Sequence, residues 1–130
     1  MLKVCCRCGK IHSRDYNCQP AAKVQQRYSQ ADKFRNTQLW RKKANSIKKR
    51  DYQMCRVCLL NLYNTIRQYN SENTSVHHII PLSEDFGKRL DDDNLITLCR
   101  YHHELAENGA IPRSLLRDIA ASPICFNELK

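Results

Sequence analysis

The sequence predicts an α+β fold: a small strand–strand–helix core, a basic helix before it, a further helix after it, and a cysteine-rich segment at the N-terminus. Three observations lead there. Cysteines and histidines recur in two separate sets, Cys5, Cys8, His12 and Cys18, then Cys55, Cys58, Cys99 and His102. Two short apolar runs, 76–82 and 94–98, are followed at once by a helical pattern over 99–108. Between the cysteine sets, residues 23–50 hold ten Lys and Arg against a single acid, Asp32.

A chain of 130 residues and 15.3 kDa has room for one compact domain and a small appendage, which excludes a large multi-domain enzyme. Lys and Arg total 22 against 13 Asp and Glu, giving a net charge of +9 and a pI near 9.3. That balance suits a polyanionic partner, nucleic acid or a membrane surface. The N-terminal Met-Leu-Lys-Val-Cys-Cys-Arg-Cys has no continuous apolar stretch, so no secretory signal is expected. No apolar run is long enough to span a bilayer, so no membrane partner is expected either. The chain is accordingly assigned to a reducing cytoplasm, where Cys and His at short spacing read as zinc ligands rather than disulfides.

Taken in order, residues 1–22 are too poor in hydrophobic side chains to build a core and need a metal to fold. Cys5, Cys8, His12 and Cys18 form a C-x2-C-x3-H-x5-C series close to a zinc knuckle, with Gly9 relaxing the turn and Cys6 as a rival to Cys5. Residues 23–51 are a basic amphipathic segment. A helix is expected over 31–50, because Phe34, Thr37, Trp40, Ala44 and Ile47 recur at three- and four-residue steps, with Trp40 as the anchor on the core. One acid among so many bases cannot absorb the charge by pairing.

Residues 52–122 carry most of the chemistry, and 123–130 read as a tail. The polar cluster 70–75 is expected to be a loop, 76–82 and 94–98 strands, and 99–108 a helix capped by Gly109. Pro112 then opens a last helix whose Leu115, Leu116 and Ile119 pack. Cys55, Cys58, Cys99 and His102 form the second zinc set, clamping the helix that Cys99 begins onto the earlier Cys55 turn. With three thiolates and one Zn²⁺ per site, two structural zinc ions bring the net charge to about +7. Asp91, Asp92 and Asp93 lack the alternation and glycine of a calcium loop and read as a solvated turn.

His77 and His78 sit side by side on a strand, so they point to opposite faces or splay where it bends. His103 follows the zinc ligand His102 and must face another way, toward His77. This leaves His77 and His103 as ligands of a second metal with open positions, and His78 free as a base.

The run from Cys55 to His103 resembles the HNH (His-Asn-His) endonucleases, the ββα-metal nucleases, and especially their small phage-type members. The motif residues are His77, His78, Asn94 and His103, framed by Cys55, Cys58, Cys99 and His102. The resemblance implies a ββα-metal (HNH) core stapled by structural zinc and metal-dependent hydrolysis of DNA phosphodiester bonds to 5′-phosphate and 3′-hydroxyl ends. It makes His78 the general base, Asn94 the residue that orients the strand pair and the His78 ring, and His77 and His103 the holders of one divalent ion. Mn²⁺, Ni²⁺, Mg²⁺ and Zn²⁺ all come into question, with imidazole ligands favouring Mn²⁺ or Ni²⁺ at least as much as Mg²⁺. DNA would be held chiefly by Arg41, Lys42, Lys43, Lys48, Lys49 and Arg50 of the basic helix, with Arg100 nearer the chemistry. Phage terminase or packaging proteins are partners suggested by the resemblance alone. Two other classes would keep the thiolates and the basic helix: a non-catalytic zinc-stapled nucleic-acid-binding module, and a phage assembly factor that retained the fold without cleavage.

Overall fold

The computed structural model of the protein describes residues 1–6, 8–13, 15–18 and 29–129. The boundary expected at 22/23, Lys23 and Arg27 of the basic stretch, and the last residue of the tail lie outside the described residues.

At the N-terminus, β1 (Leu2–Val4) and β2 (Ile11–Ser13) form an antiparallel hairpin, with Val4 opposite Ile11. Its turn is closed by Cys5 N–H donating to the Lys10 carbonyl at 2.9 Å and Gly9 N–H to the Cys5 carbonyl at 2.8 Å. Gly9 has φ of +73°, which only glycine adopts without strain.

The basic segment is two helices rather than the single one expected over 31–50. α1 (Gln30–Arg35) starts on a reciprocal cap: the Ser29 hydroxyl accepts from Asp32 N–H, and the Asp32 carboxylate accepts from Ser29 N–H. α2 (Gln38–Arg50) starts at Thr37, whose hydroxyl donates to the Phe34 carbonyl at 2.6 Å and accepts from Trp40 N–H at 3.2 Å. Threonine's side chain thus competes with the helical ladder and both ends one helix and caps the next. The buried apolar side chains of the two helices are Phe34 and Ile47, whereas Trp40, the expected anchor, is only half-buried, its ring 5.5 Å from that of Phe34.

The core follows. After the single turn of α3 (Arg56–Leu59), β3 (Thr74–His78) pairs antiparallel with β4 (Leu95–Cys99), placing His77 opposite Ile96 and His78 opposite Leu95. β3 starts two residues before the expected 76 and stops at His78 instead of reaching 82. Beyond it the backbone is taken over by Asn94: Ile79 N–H donates to the Asn94 carbonyl and Ile80 N–H to its side chain. Pro81 has no N–H with which to continue a ladder. All five residues of β4 are buried, and Ile96 and Leu98 join Val57, Ile79, Ile111, Leu116 and Ile119 in one cluster with Cys55, Cys58 and Cys99.

α4 (Arg100–Glu107) leaves β4 directly and ends at Gly109, whose φ of +83° lets Ala110 N–H turn back onto the Leu105 carbonyl. α5 (Arg113–Ala121) buries Leu116, Ile119 and Ala120 against the core. β3, β4 and α4 are the ββα unit the sequence predicts. No helix among the described residues is long and apolar enough to cross a membrane.

Buried among these elements is an ionic network that sequence reasoning missed. The Asp51 carboxylate accepts from Arg50 Nε at 2.9 Å, Arg56 Nη1 at 2.8 Å and Thr97 N–H at 3.0 Å. Arg56 also donates to the Ile119 and Ser122 carbonyls, so one ion pair ties α2, α3, β4 and α5 together. Burial pushes the Asp51 carboxyl up, but the hydrogen bonds and charges of Arg50 and Arg56 outweigh it and hold the pKa below the ordinary carboxylate value.

Candidate active site

Cys55 and Cys58 bracket the first turn of α3, and Cys99 and His102 the first turn of α4. All four are buried. His102 Nδ1 lies 3.4, 3.3 and 3.3 Å from the sulfurs of Cys55, Cys58 and Cys99, and the Cys58 and Cys99 sulfurs are 3.8 Å apart. A tetrahedral zinc with ordinary bond lengths separates two sulfurs by roughly 3.8 Å and a sulfur from a nitrogen by roughly 3.5 Å, so the donor set fits that ion. His102 Nε2 donates to the Tyr63 carbonyl at 3.1 Å, which leaves Nδ1 as the ligating atom. Burial pushes the Cys55 and Cys58 thiols up, so such a cluster needs a cation to hold thiolates.

Cys5, Cys8, His12 and Cys18 also converge, their ligand atoms lying within 4.8 Å of one another. Cys5 and Cys18 are buried, while Cys6, its rival by sequence, is exposed. His12 Nδ1 donates to the Ser13 carbonyl and Nε2 sits 3.7 Å from the Cys8 sulfur. Both tetrads are compatible with structural zinc.

His77 and His78 end β3 on opposite faces of the strand, yet both line one cleft of about 390 Å³ with His103 and Glu107 of α4. The His77 and His103 rings meet edge to face at 4.9 Å. Glu107, one helical turn after His103, brings a carboxylate oxygen to 3.6 Å from His103 Nε2, and the ligand atoms of all three residues lie within 4.8 Å of one another. This set, two imidazoles and a carboxylate, fits a divalent ion. Burial, helped by the neighbouring His103, His78 and Arg113, holds the His77 pKa down to about 4, so its lone pair is available near neutral pH.

His78 faces the other way. Trp40 stacks on its ring at 4.6 Å, and Phe34 meets it edge on at 6.2 Å. Its Nε2–H donates to the Arg89 carbonyl at 3.2 Å, so Nδ1 carries the lone pair. Burial lowers its pKa, and Arg35 lowers it further against the opposing effect of the Arg89 bond.

Asn94 does not supply the hydrogen bond to the His78 ring that the sequence reading gave it. Its Oδ1 accepts from Ile80 N–H at 2.7 Å, and its Nδ2 donates to the Ile80 and Lys88 carbonyls at 3.2 Å. It therefore fixes the backbone on either side, including the loop that presents Arg89.

Residues 55–109 match the model of the HNH endonuclease family. This region is an HNH endonuclease domain. No curated protein and no solved structure matches the chain.

The HNH domain contains both halves of the buried tetrad, His77, His78, Asn94, His103 and Glu107. Trp40 and Arg35, which close the cleft from before it, and Arg113, which closes it from behind, lie outside the matched region. Glu107 was absent from the sequence reading, although its i+4 spacing from His103 on a predicted helix was a usable signal.

The cations of the basic helix divide into two groups. Arg50 also donates to the Asp92 and Leu95 carbonyls, so its guanidinium is committed within the fold, and Lys43 is ion-paired with Asp92. The side chains of Arg41, Lys42, Lys48 and Lys49 make no ion pair among the described residues. Arg100 is exposed, with only a loose 3.6 Å pairing to Glu104.

Proposed function

We propose that the protein is a metal-dependent DNA endonuclease that hydrolyses phosphodiester bonds to 5′-phosphate and 3′-hydroxyl ends. The observation that carries this reading is the meeting of His77, His103 and Glu107 at one point in the same cleft as His78, a neutral imidazole whose tautomer is set by the Arg89 carbonyl.

His78 Nδ1 is the atom that takes the proton from the attacking water. As the ring becomes positive, its Nε2–H bond to the Arg89 carbonyl strengthens and stabilises it. Trp40 and Phe34 restrict water around the ring and hold its plane. Asn94 is a positioning residue: it fixes the turn after β3 and the loop carrying Arg89. His77, His103 and Glu107 would hold a divalent ion, which would supply Lewis-acid stabilisation of the charge building on the phosphate and on the departing 3′ oxygen. The mixed nitrogen and oxygen donors suit Mn²⁺ or Ni²⁺ at least as well as Mg²⁺, which prefers oxygen. Arg41, Lys42, Lys48, Lys49 and Arg100 neutralise DNA phosphates, and Lys43 and Arg50 serve the fold instead.

Plasmid nicking tests the reading. With Mn²⁺ the wild-type protein is expected to relax supercoiled DNA, and His78→Ala to lose about 10²–10⁴-fold in rate, the usual share of a general base. Nicking at the wild-type rate by a clean His78→Ala preparation removes His78 from the mechanism. DNA binding without cleavage under every metal would leave a zinc-stapled binding module.

A further inference from the structure

We propose that the cleft extends into two phosphate subsites, built by Arg35 and Arg113, which take the phosphates neighbouring the scissile one in a nucleic-acid strand. This rests on the nuclease reading of the same cleft. Both arginines line the cleft with His77, His78 and His103. Arg35 is the last residue of α1, next to Phe34, whose ring meets that of His78, and Arg113 is the first residue of α5.

The HNH domain itself brings no permanent cation to this wall. Among the described residues lining the cleft, those from 55–109 are histidines, apolar and hydroxyl side chains and the acid Glu107. A strand lying there presents one negative charge per nucleotide, and Glu107 adds another. Beyond a divalent ion held by His77, His103 and Glu107, which would offset Glu107 and the scissile phosphate, the cationic side chains on this wall that answer that charge come from the segments flanking the domain, one from each side.

Both arginines are placed to do so. Arg113 is held by Glu84 through Nη1 at 2.7 Å, which leaves Nε and Nη2 for a phosphate. Arg35 is only loosely paired with Asp32, at 3.7 Å, and an exposed pair of that kind gives way readily to a phosphate. The planar fork matches two phosphate oxygens at once, which a lysine cannot do. Both side chains are more than half exposed, at 54% and 53%, so replacing either should leave the fold intact.

The test is binding of a short DNA duplex across a salt series in the His78→Ala background, which is expected to retain DNA without cutting it. Arg35→Gln and Arg113→Gln are each expected to weaken binding about tenfold and to flatten the slope of log K against log salt by about 1, with a flattening of about 2 in the double variant. Arg→Lys at either position should restore the slope but not the full affinity. Arg67→Gln, an exposed arginine paired with Glu72 outside the cleft, should change neither. Unaltered slopes in both Gln variants, or an equal change in Arg67→Gln, would overturn the subsites. Absence of any DNA binding by the His78→Ala protein would instead contradict the underlying nuclease reading.

Discussion

His78 gives its Nε2–H to the Arg89 carbonyl, and that single bond decides which ring nitrogen can accept a proton. The backbone that presents Arg89 is held by Asn94, so the two residues are coupled without touching through a side-chain bond. Asn94→Ala should strand the Ile80 N–H in a buried turn, costing about 1–3 kcal/mol of stability by thermal or denaturant melting, and should lower the nicking rate beyond that loss. Asp51 offers a separate test, because it belongs neither to a Cys/His tetrad nor to the lining of the cleft. Its pKa is lowered in the folded state, so the stability it contributes is present above the unfolded value of about 3.9 and drains away as pH falls through the folded value. Asp51→Asn strips the charge from a carboxylate that answers Arg56 and Arg50, and should cost about 3–5 kcal/mol at pH 7. Denaturant melts of both proteins should show that gap narrowing below pH 4; a constant gap would exclude Asp51 as the titrating group.

Among the elements, α4 has the densest chemistry. Its first turn supplies His102 to the buried tetrad, the next residue, His103, faces the cleft, and Glu107 follows a turn later. The buried tetrad and the cleft therefore share one short helix, and an eight-residue helix has little stability of its own in water. Cys58→Ser should remove the bound zinc and the cooperative melting transition together, read by elemental analysis and circular dichroism; a normal melt in that variant would refute the structural site. Much of this element was legible in advance, since Cys99-x2-His102 opened a helical pattern that Gly109 closed. The basic helix was less so. Its apolar period runs across Thr37 without interruption, but the period does not register that a threonine hydroxyl can cap a new helix while bonding back to Phe34. The same blindness misplaced Trp40: a helical stripe says that a face is covered, not whether a core or the ring of His78 covers it.

At the scale of the whole molecule, charge and topology act together. A net charge of +9 pointed to a polyanion, but only the folded chain separates cations engaged by other groups of the chain, Arg50, Arg56 and Lys43, from those on α2 without an ion pair among the described residues. Sequence spacing cannot make that division, because Arg50 meets Leu95 and Arg56 meets Ile119 across long stretches of chain. The histidines were easier to bring together: His77, His78 and His103 fall within two short segments whose pairing the strand pattern foretells, and all three line one cleft. Neutralising Arg41, Lys42, Lys48 and Lys49 together should flatten the salt dependence of DNA binding by about 4 in slope, at roughly 0.9 per phosphate contact. Replacing Lys43 and Arg50 should act on stability first. The most direct test of the whole account is a metal panel of plasmid-nicking assays on the zinc-loaded protein, wild type beside His78→Ala. The account predicts nicking by the wild type with Mn²⁺ or Ni²⁺ at least as fast as with Mg²⁺, and a loss of at least about a hundredfold in the variant at unchanged zinc content. Equal nicking by the two proteins, or none from the wild type with any divalent ion, would contradict it.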